Sequence, residues 1–150
     1  MRRPRVLALS SGGGHWIQLL RLRPAFAGCD VVFATVDPGN EIMIEGAEFH
    51  VFPDANKDTK VALIKSVWAI WGVLRRVKPD VIVSTGAAGG FFAVLIGRAM
   101  GTRGVFIDSI ANAQTLSVSA RLVLKTGGTV YTQWPDLADS TGAQYLGAVI

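Results

Sequence analysis

Residues 5–22, RVLALSSGGGHWIQLLRL, decide the reading of this chain. Val6, Leu7, Ala8 and Leu9 form the apolar run of a buried parallel strand, and from His15 onward apolar residues recur at Trp16, Ile17, Leu19, Leu20 and Leu22 as on one face of a helix. Between them lie Ser10, Ser11, Gly12, Gly13 and Gly14. The pattern predicts a strand, a tight glycine turn and a helix. Glycine admits positive φ and lets the backbone approach a ligand, while the free N–H groups and positive dipole end of the helix face whatever lies ahead. That is an anion site, suited to phosphate. The plainer alternative is that any strand-to-helix turn in a doubly wound sheet favours glycine; the run has neither the spacing of the dinucleotide fingerprint nor the Gly-Lys-Ser/Thr of a P-loop.

Working outward, short apolar strands alternate with helical patterns. Strands are expected at Asp30–Val36, Glu48–Phe52, Asp80–Ser84, Val105–Asp108 and Val130–Thr132. A strongly helical segment covers Val61–Val77, with Leu63, Val67, Ile70, Leu74 and Val77 on the face that should meet the sheet. A second helix is read over Phe91–Met100, and a third over Val118–Lys125, capped by Ser117 and ended by Gly127-Gly128. Asp54–Lys60 reads as a polar surface loop, Pro135–Leu137 as a turn and Tyr145–Gly147 as a terminal segment. This alternation specifies an α/β fold: one domain, 1–150, with a doubly wound, mostly parallel, Rossmann-like sheet. In such sheets ligands lie beyond the carboxyl ends of the strands. Ser10–His15, the glycine-rich turn Thr85–Gly90 and the loop Asp108–Asn112 all follow strands and should line one cleft.

Composition narrows the partners. With 150 residues, half of them hydrophobic, the chain can bury a core, and disorder is excluded. Its formal charge of +4 favours an anionic partner. One cysteine, Cys29, and two separated histidines, His15 and His50, point to no disulfide framework and no metal site, in a reducing, cytosolic setting. His50, expected on an edge strand, receives no role. Nothing in the sequence reads as a signal peptide or reaches the roughly 18 uninterrupted apolar residues of a membrane span. On the long helix, Ile64, Trp68 and Trp71 lie beside the core face among Lys57, Lys60, Lys65, Arg75, Arg76 and Lys78. Indoles next to cations are what an interfacial helix uses among anionic headgroups; the alternative is that the tryptophans pack under a neighbouring element. The basic residues do not cluster with exposed aromatics on adjacent strands, so nucleic acid is not expected as a partner.

Several phrases together resemble a known family. Ser10-Ser11-Gly12-Gly13-Gly14-His15 with Leu19–Leu22, Ser84-Thr85-Gly86-Ala87, Phe106–Ala111 with Leu116-Ser117, Arg121 and Leu122, and Gln133-Trp134-Pro135 with Tyr145-Leu146-Gly147 are similar to the PssD-type proteins of bacterial exopolysaccharide assembly. Those in turn resemble asparagine-linked glycosylation protein 14, the membrane-recruiting subunit of a split UDP-N-acetylglucosamine transferase. The resemblance implies the N-terminal, acceptor-side half of a GT-B glycosyltransferase, related to MurG-type enzymes. It implies a separate donor-binding, PssE-like partner that holds the UDP-sugar, a lipid-diphosphate-saccharide acceptor and no cofactor of this chain's own. Carried onto this sequence, Gly12, Gly13 and Gly14 cradle the acceptor diphosphate, with Ser11 and Asn112 beside them and Gly86, Gly89 and Gly90 as a second phosphate-facing loop. Membrane recruitment falls to Ile64, Trp68, Trp71, Lys65, Arg75 and Arg76, on the cytoplasmic, inner face of the membrane.

Sugar transfer to a hydroxyl needs a base at the acceptor oxygen and stabilisation of the departing diphosphate. Asp108, at a strand end, and His15, at a helix start, are the two candidates. Either residue has a local alternative: Asp108 as a turn or helix cap, His15 as a helix-terminal group bonding the glycine loop.

Overall fold

The computed structural model describes residues 1–55 and 59–149. Asn56, Lys57 and Asp58, inside the expected loop Asp54–Lys60, lie outside the described residues, as does the charge ascribed to Lys57. Seven strands, β1 (Arg5–Leu9), β2 (Asp30–Thr35), β3 (Glu48–Val51), β4 (Val81–Ser84), β5 (Arg103–Ile107), β6 (Thr129–Thr132) and β7 (Gln144–Tyr145), form one sheet in the order β3-β2-β1-β4-β5-β6-β7. Every neighbouring pair is parallel, with Leu7 opposite Val32 on one side and Ile82 on the other. The direction of strand order reverses between β1 and β4, which makes their carboxyl ends the crevice of the sheet.

The helices are α1 (Gly14–Arg21), α2 (Lys60–Val77), α3 (Ala87–Ala99), α4 (Val118–Lys125) and α5 (Pro135–Thr141). Helices α2, α3 and α4 cover one face of the sheet, burying Leu7, Leu9, Val32, Ile82, Phe106 and Val130 beneath them. On the opposite face α1 closes a smaller core in which Trp16 meets Phe33 and Phe49 edge-on, at ring distances of 5.8 and 6.3 Å. The expected cap holds, since Ser117 Oγ accepts from the Ala120 amide at 3.0 Å. A second cap, Thr59 accepting from Ala62, starts α2.

Four expectations need correction. The turn expected at Pro135–Leu137 is the first turn of α5, with Pro135 at a helix start where its missing N–H costs nothing. The terminal segment at Tyr145 is a seventh strand, paired with β6 through Tyr131 and Thr132. Along α2, Ile70, Leu74 and Val77 are buried as expected, but Ser66 and Val73 join them while Leu63 and Val67 are only half-buried. Leu63 turns to a cavity at the end of the sheet instead.

The fourth concerns glycines. Gly89 and Gly90 are not in a loop: α3 begins at Ala87, and both face inward from its first turns. A side chain at Gly89 would come within 2.8 Å of the Phe52 ring, and one at Gly90 would strike Ser84 and lie 3.2 Å from Phe106. Gly97 meets Ile82 in the same way, and Gly104 of β5 leaves room for Val94. Helix propensity counts glycine as a breaker at about 1 kcal/mol each; here close packing of the helix on the sheet outweighs it. The missing side chains sink α3 toward the strands, and Gly89 and Gly90 serve that packing from within the helix rather than from a loop.

Ion pairs gather at the opposite, amino end of the sheet. Arg2 binds Asp80 at 2.7 Å, and Arg5 binds Glu48 at 2.6 Å and Asp30 at 3.7 Å. His50, on the edge strand β3, is bonded to Glu48 at 2.8 Å.

Candidate functional site

The three segments that follow β1, β4 and β5 converge at the carboxyl edge. Gly13, with φ of 65°, ends the first turn, and no side chain caps α1 behind it. The amides of Gly12, Gly13, Gly14 and His15 donate to nothing among the described residues. Gly13 needs its glycine for conformation. Gly12 and Gly14 do not: a Cβ at Gly12 would make ordinary contact with Val36, and one at Gly14 would meet nothing. Their bareness leaves open backbone at a helix start, where anions bind.

His15 and the turn after β4 hold each other. Nδ1 of His15 lies 3.2 Å from the Thr85 carbonyl, and Thr85 Oγ1 donates to the His15 carbonyl at 2.6 Å. A carbonyl only accepts, so Nδ1 carries the hydrogen, and in the neutral ring the lone pair is on Nε2. Nε2 has no partner among the described residues. Gly86 stands against this ring so closely that a Cβ would overlap it. The next residue, Ala87, sits at φ of 62°. A left-handed alanine opening a helix is strained, and unlike Glu45 and Lys78 it caps no helix C-terminus. The strain makes a sharp elbow whose methyl faces the site.

Asp108 is 2% exposed and follows β5. Its Oδ1 accepts from Asn112 Nδ2 at 3.0 Å and its Oδ2 from the Ser117 amide at 2.9 Å. The carboxylate thus ties the loop 108–117 into a closed unit that ends at the cap of α4. Three side chains to which the sequence reading gave no role brace the same loop. Gln18, buried on α1, donates to the Asp108 carbonyl at 3.3 Å and accepts from Ile110; Gln133 donates to the same carbonyl at 3.0 Å; Trp134 Nε1 donates to the Ile110 carbonyl at 2.8 Å. The available signal was Gln18 itself, a polar residue three positions after His15 between Ile17 and Leu19.

These pieces share a cavity of about 910 Å³. One end carries His15, Gly86, Asp108, Ser109 and Asn112; the other walls carry Leu63, Phe91, Phe92, Val118 and Leu122, with Asp54, Thr59, Lys60 and Ser119 among them. Gly12, Gly13 and Gly14 precede His15 directly and are not on its lining, nor are Gly89 and Gly90. Among the described residues no group of three His, Cys, Asp or Glu could hold a metal ion.

The basic helix α2 presents a separate surface. Ile64 is 56% exposed, Trp68 65% and Trp71 36%, spaced along one stripe, with Lys65 and Arg76 exposed beside them. The two indoles meet edge-on at 5.4 Å, and the Arg75 guanidinium stacks 5.0 Å above Trp71. No other element of the described chain covers them. Among the described residues no helix is long and apolar enough to cross a membrane.

Comparison with known proteins places this arrangement. By fold, the chain is similar to MurG of Acinetobacter baumannii (TM-score 0.76, 13% identity, 97% of this chain and 45% of that one). It is also similar to the UDP-GlcNAc 2-epimerase of Methanocaldococcus jannaschii (TM-score 0.70, 13% identity, 95% and 45%). It therefore spans less than half the length of either solved chain. By sequence, it is 22% identical to the UDP-N-acetylglucosamine transferase subunit ALG14 of Homo sapiens over 97% of this chain and 82% of that protein, and equally so to the subunit of Rattus norvegicus. The model of the family described as oligosaccharide biosynthesis protein Alg14 like matches residues 53–149, from the end of β3 through α2, the elbow, the Asp108 loop and the Gln133-Trp134-Pro135 turn. With that match covering well over half its length, the chain belongs to the Alg14-like family.

Proposed function

We propose that this chain is the acceptor-side subunit of a two-chain glycosyltransferase that moves a sugar, GlcNAc or another hexose, from a UDP-sugar to a lipid-diphosphate-linked saccharide in oligosaccharide or exopolysaccharide assembly. A second, donor-binding chain of the PssE kind holds the nucleotide sugar. The observation that carries the reading is the cavity wall formed by His15, with its tautomer fixed, directly after a row of unpaired backbone amides. Support comes from the transferase-subunit relatives and from the 45% of MurG that the chain spans.

In this reading the amides of Gly12, Gly13 and Gly14, with Ser11, receive the acceptor diphosphate. His15 Nε2 takes the proton from the acceptor hydroxyl as its oxygen bonds to the donor's anomeric carbon and the bond to UDP breaks. Asn112, held through Asp108, offers its free amide oxygen to the acceptor saccharide. Asp108, the other candidate base, acts as a positioning residue, because both its oxygens are already engaged. A second reading, a tether that binds lipid diphosphate without chemistry, is favoured by that same engagement. The test is co-expression with candidate donor-binding chains, then transfer from several UDP-sugars to a lipid-diphosphate-sugar. The assembled pair is expected to turn over and the isolated chain to be inactive; activity from this chain alone would overturn the split-enzyme reading.

The same reading recruits the chain to the inner face of the cytoplasmic membrane, and the exposed α2 stripe supports it. Ile64, Trp68 and Trp71 would enter the headgroup region while Lys65, Arg75 and Arg76 meet anionic lipid. Replacing Trp68 and Trp71 together by serine removes about 2 kcal/mol of burial, roughly a 30-fold loss of partition onto anionic vesicles, measured by sedimentation. Both indoles are exposed, so the thermal midpoint should hold. Unchanged partition would assign the stripe to the partner chain.

A further inference from the structure

The site described above uses only one end of its cavity, and the shape of the other end has a definite cause. Helix α3 packs against both α2 and α4, and its inward glycines, Gly90 against Ser84 and Phe106 and Gly97 against Ile82, seat it low on the sheet. A helix carrying ordinary side chains there would ride higher and fill the space between its neighbours. Instead α3 is the floor of a trench whose walls are α2 and α4. The floor is Phe91 and Phe92, 5.1 Å apart and half-buried; the walls are Leu63, with Thr59 and Lys60 before it, on one side and Val118, Ser119 and Leu122 on the other. Val118 is 55% exposed and Leu122 39%. Apolar side chains four residues apart on α4, left in water beside an aromatic floor, are unpartnered hydrophobic surface. At the head of the same cavity stand His15, Gly86 and Asn112.

We infer that this trench binds the hydrocarbon chain next to the acceptor's diphosphate, so that the protein selects acceptors by their lipid as well as by their sugar. The inference rests on the proposed reading of the polar end as a lipid-diphosphate site. Three observations favour a hydrocarbon over a protein segment. The trench and the polar end are one continuous cavity, which suits an amphiphile with an anionic head. Its volume of about 910 Å³ is that of a large small-molecule site. Its α2 wall, Leu63, lies about 100° around the same helix from Ile64 of the exposed tryptophan stripe, so one helix borders both the trench and the surface proposed to face lipid.

The test is equilibrium binding by calorimetry to the full chain, using pyrophosphate and isopentenyl, geranyl and farnesyl diphosphates below their micellar concentrations, with farnesol as control. Affinity is expected to rise at least about 10-fold from isopentenyl to farnesyl diphosphate as apolar area is buried. Val118→Asn with Leu122→Asn, both at exposed positions, should flatten that rise to within about 3-fold and leave pyrophosphate binding unchanged. Equal affinity for pyrophosphate and farnesyl diphosphate overturns the trench and leaves the head-group reading standing. Equal affinity for farnesol and farnesyl diphosphate supports the trench and overturns the diphosphate reading, whereas failure of every ligand overturns both. If the paired substitution abolishes association with the donor-binding chain while the chain-length series stays flat, the trench is a protein interface and the inference falls.

Discussion

His15→Ala in the assembled transferase is expected to lower turnover by about 10²- to 10⁴-fold, the usual contribution of a positioned general base. The acceptor's KM should change little, because the diphosphate would still meet the backbone amides of Gly12 to Gly14. The fold should survive. The ring is only half-buried, and its loss removes a single Nδ1–H bond to the Thr85 carbonyl, while Thr85 Oγ1 still reaches the backbone oxygen of residue 15. His15→Gln separates positioning from proton transfer, since an amide fills similar space and can donate to Thr85 but is no base. Gln should therefore be as slow as Ala. Full turnover in both variants, measured with saturating acceptor and donor, would leave the chain as a tether.

The second large effect is expected at Asp108 and is of a different kind. Asp108→Ala leaves the Ser117 amide and the Asn112 side chain facing an empty, buried site where two charge-assisted bonds had been. The cost is about 2–3 kcal/mol, a fall of roughly 4–12 °C in Tm for a chain of this size. Turnover should fall with it, because the loop that carries Ser109 and Asn112 loses its tie to α4. Asp108→Asn keeps one accepting oxygen and should recover part of both losses. A direct role as base makes the opposite demand: Asn would then be as slow as Ala, at least about 100-fold down in turnover, despite its higher Tm. Paired thermal melts and transfer assays on the two variants decide between them.

Much of the fold was legible because its signals are local. An apolar run ending in glycine and resuming with helical spacing can be little other than a strand-to-helix turn, and Ser117 before Val118–Lys125 announced its own helix by side-chain chemistry. Gly89 and Gly90 misled because one residue serves two opposite ends. Glycine frees a backbone to approach a ligand, and it also lets two elements of the same protein touch; only the partners, Phe52, Ser84 and Phe106, tell which applies. The short elements α5 and β7 escaped for a related reason, since two residues of strand carry almost no pattern and depend on β6 lying beside them. At the site, His15 and Asp108 could be named from their places after strands, but not ranked. Their ranking depends on what they bond. Thr85 leaves one nitrogen of His15 free, while Asn112 and Ser117 occupy both oxygens of Asp108. Gln133 and Trp134 stood in a phrase of the family resemblance and Gln18 in a helical run, but that they brace the loop after β5 could not be read, because contacts 24 to 92 positions away leave no trace in local spacing.

The pairing of Arg2 and Arg5 with Asp30, Glu48 and Asp80 sets all of these attachments at the far end of the strands from the cavity. Such partly exposed pairs are each worth at most about 1 kcal/mol and weaken as electrolyte rises. The lysines and arginines of α2 have, by contrast, no ion-pair partner among the described residues. Ionic strength therefore acts on the two ends as separate dials: under the proposed recruitment it releases the molecule from anionic lipid long before it loosens the molecule itself.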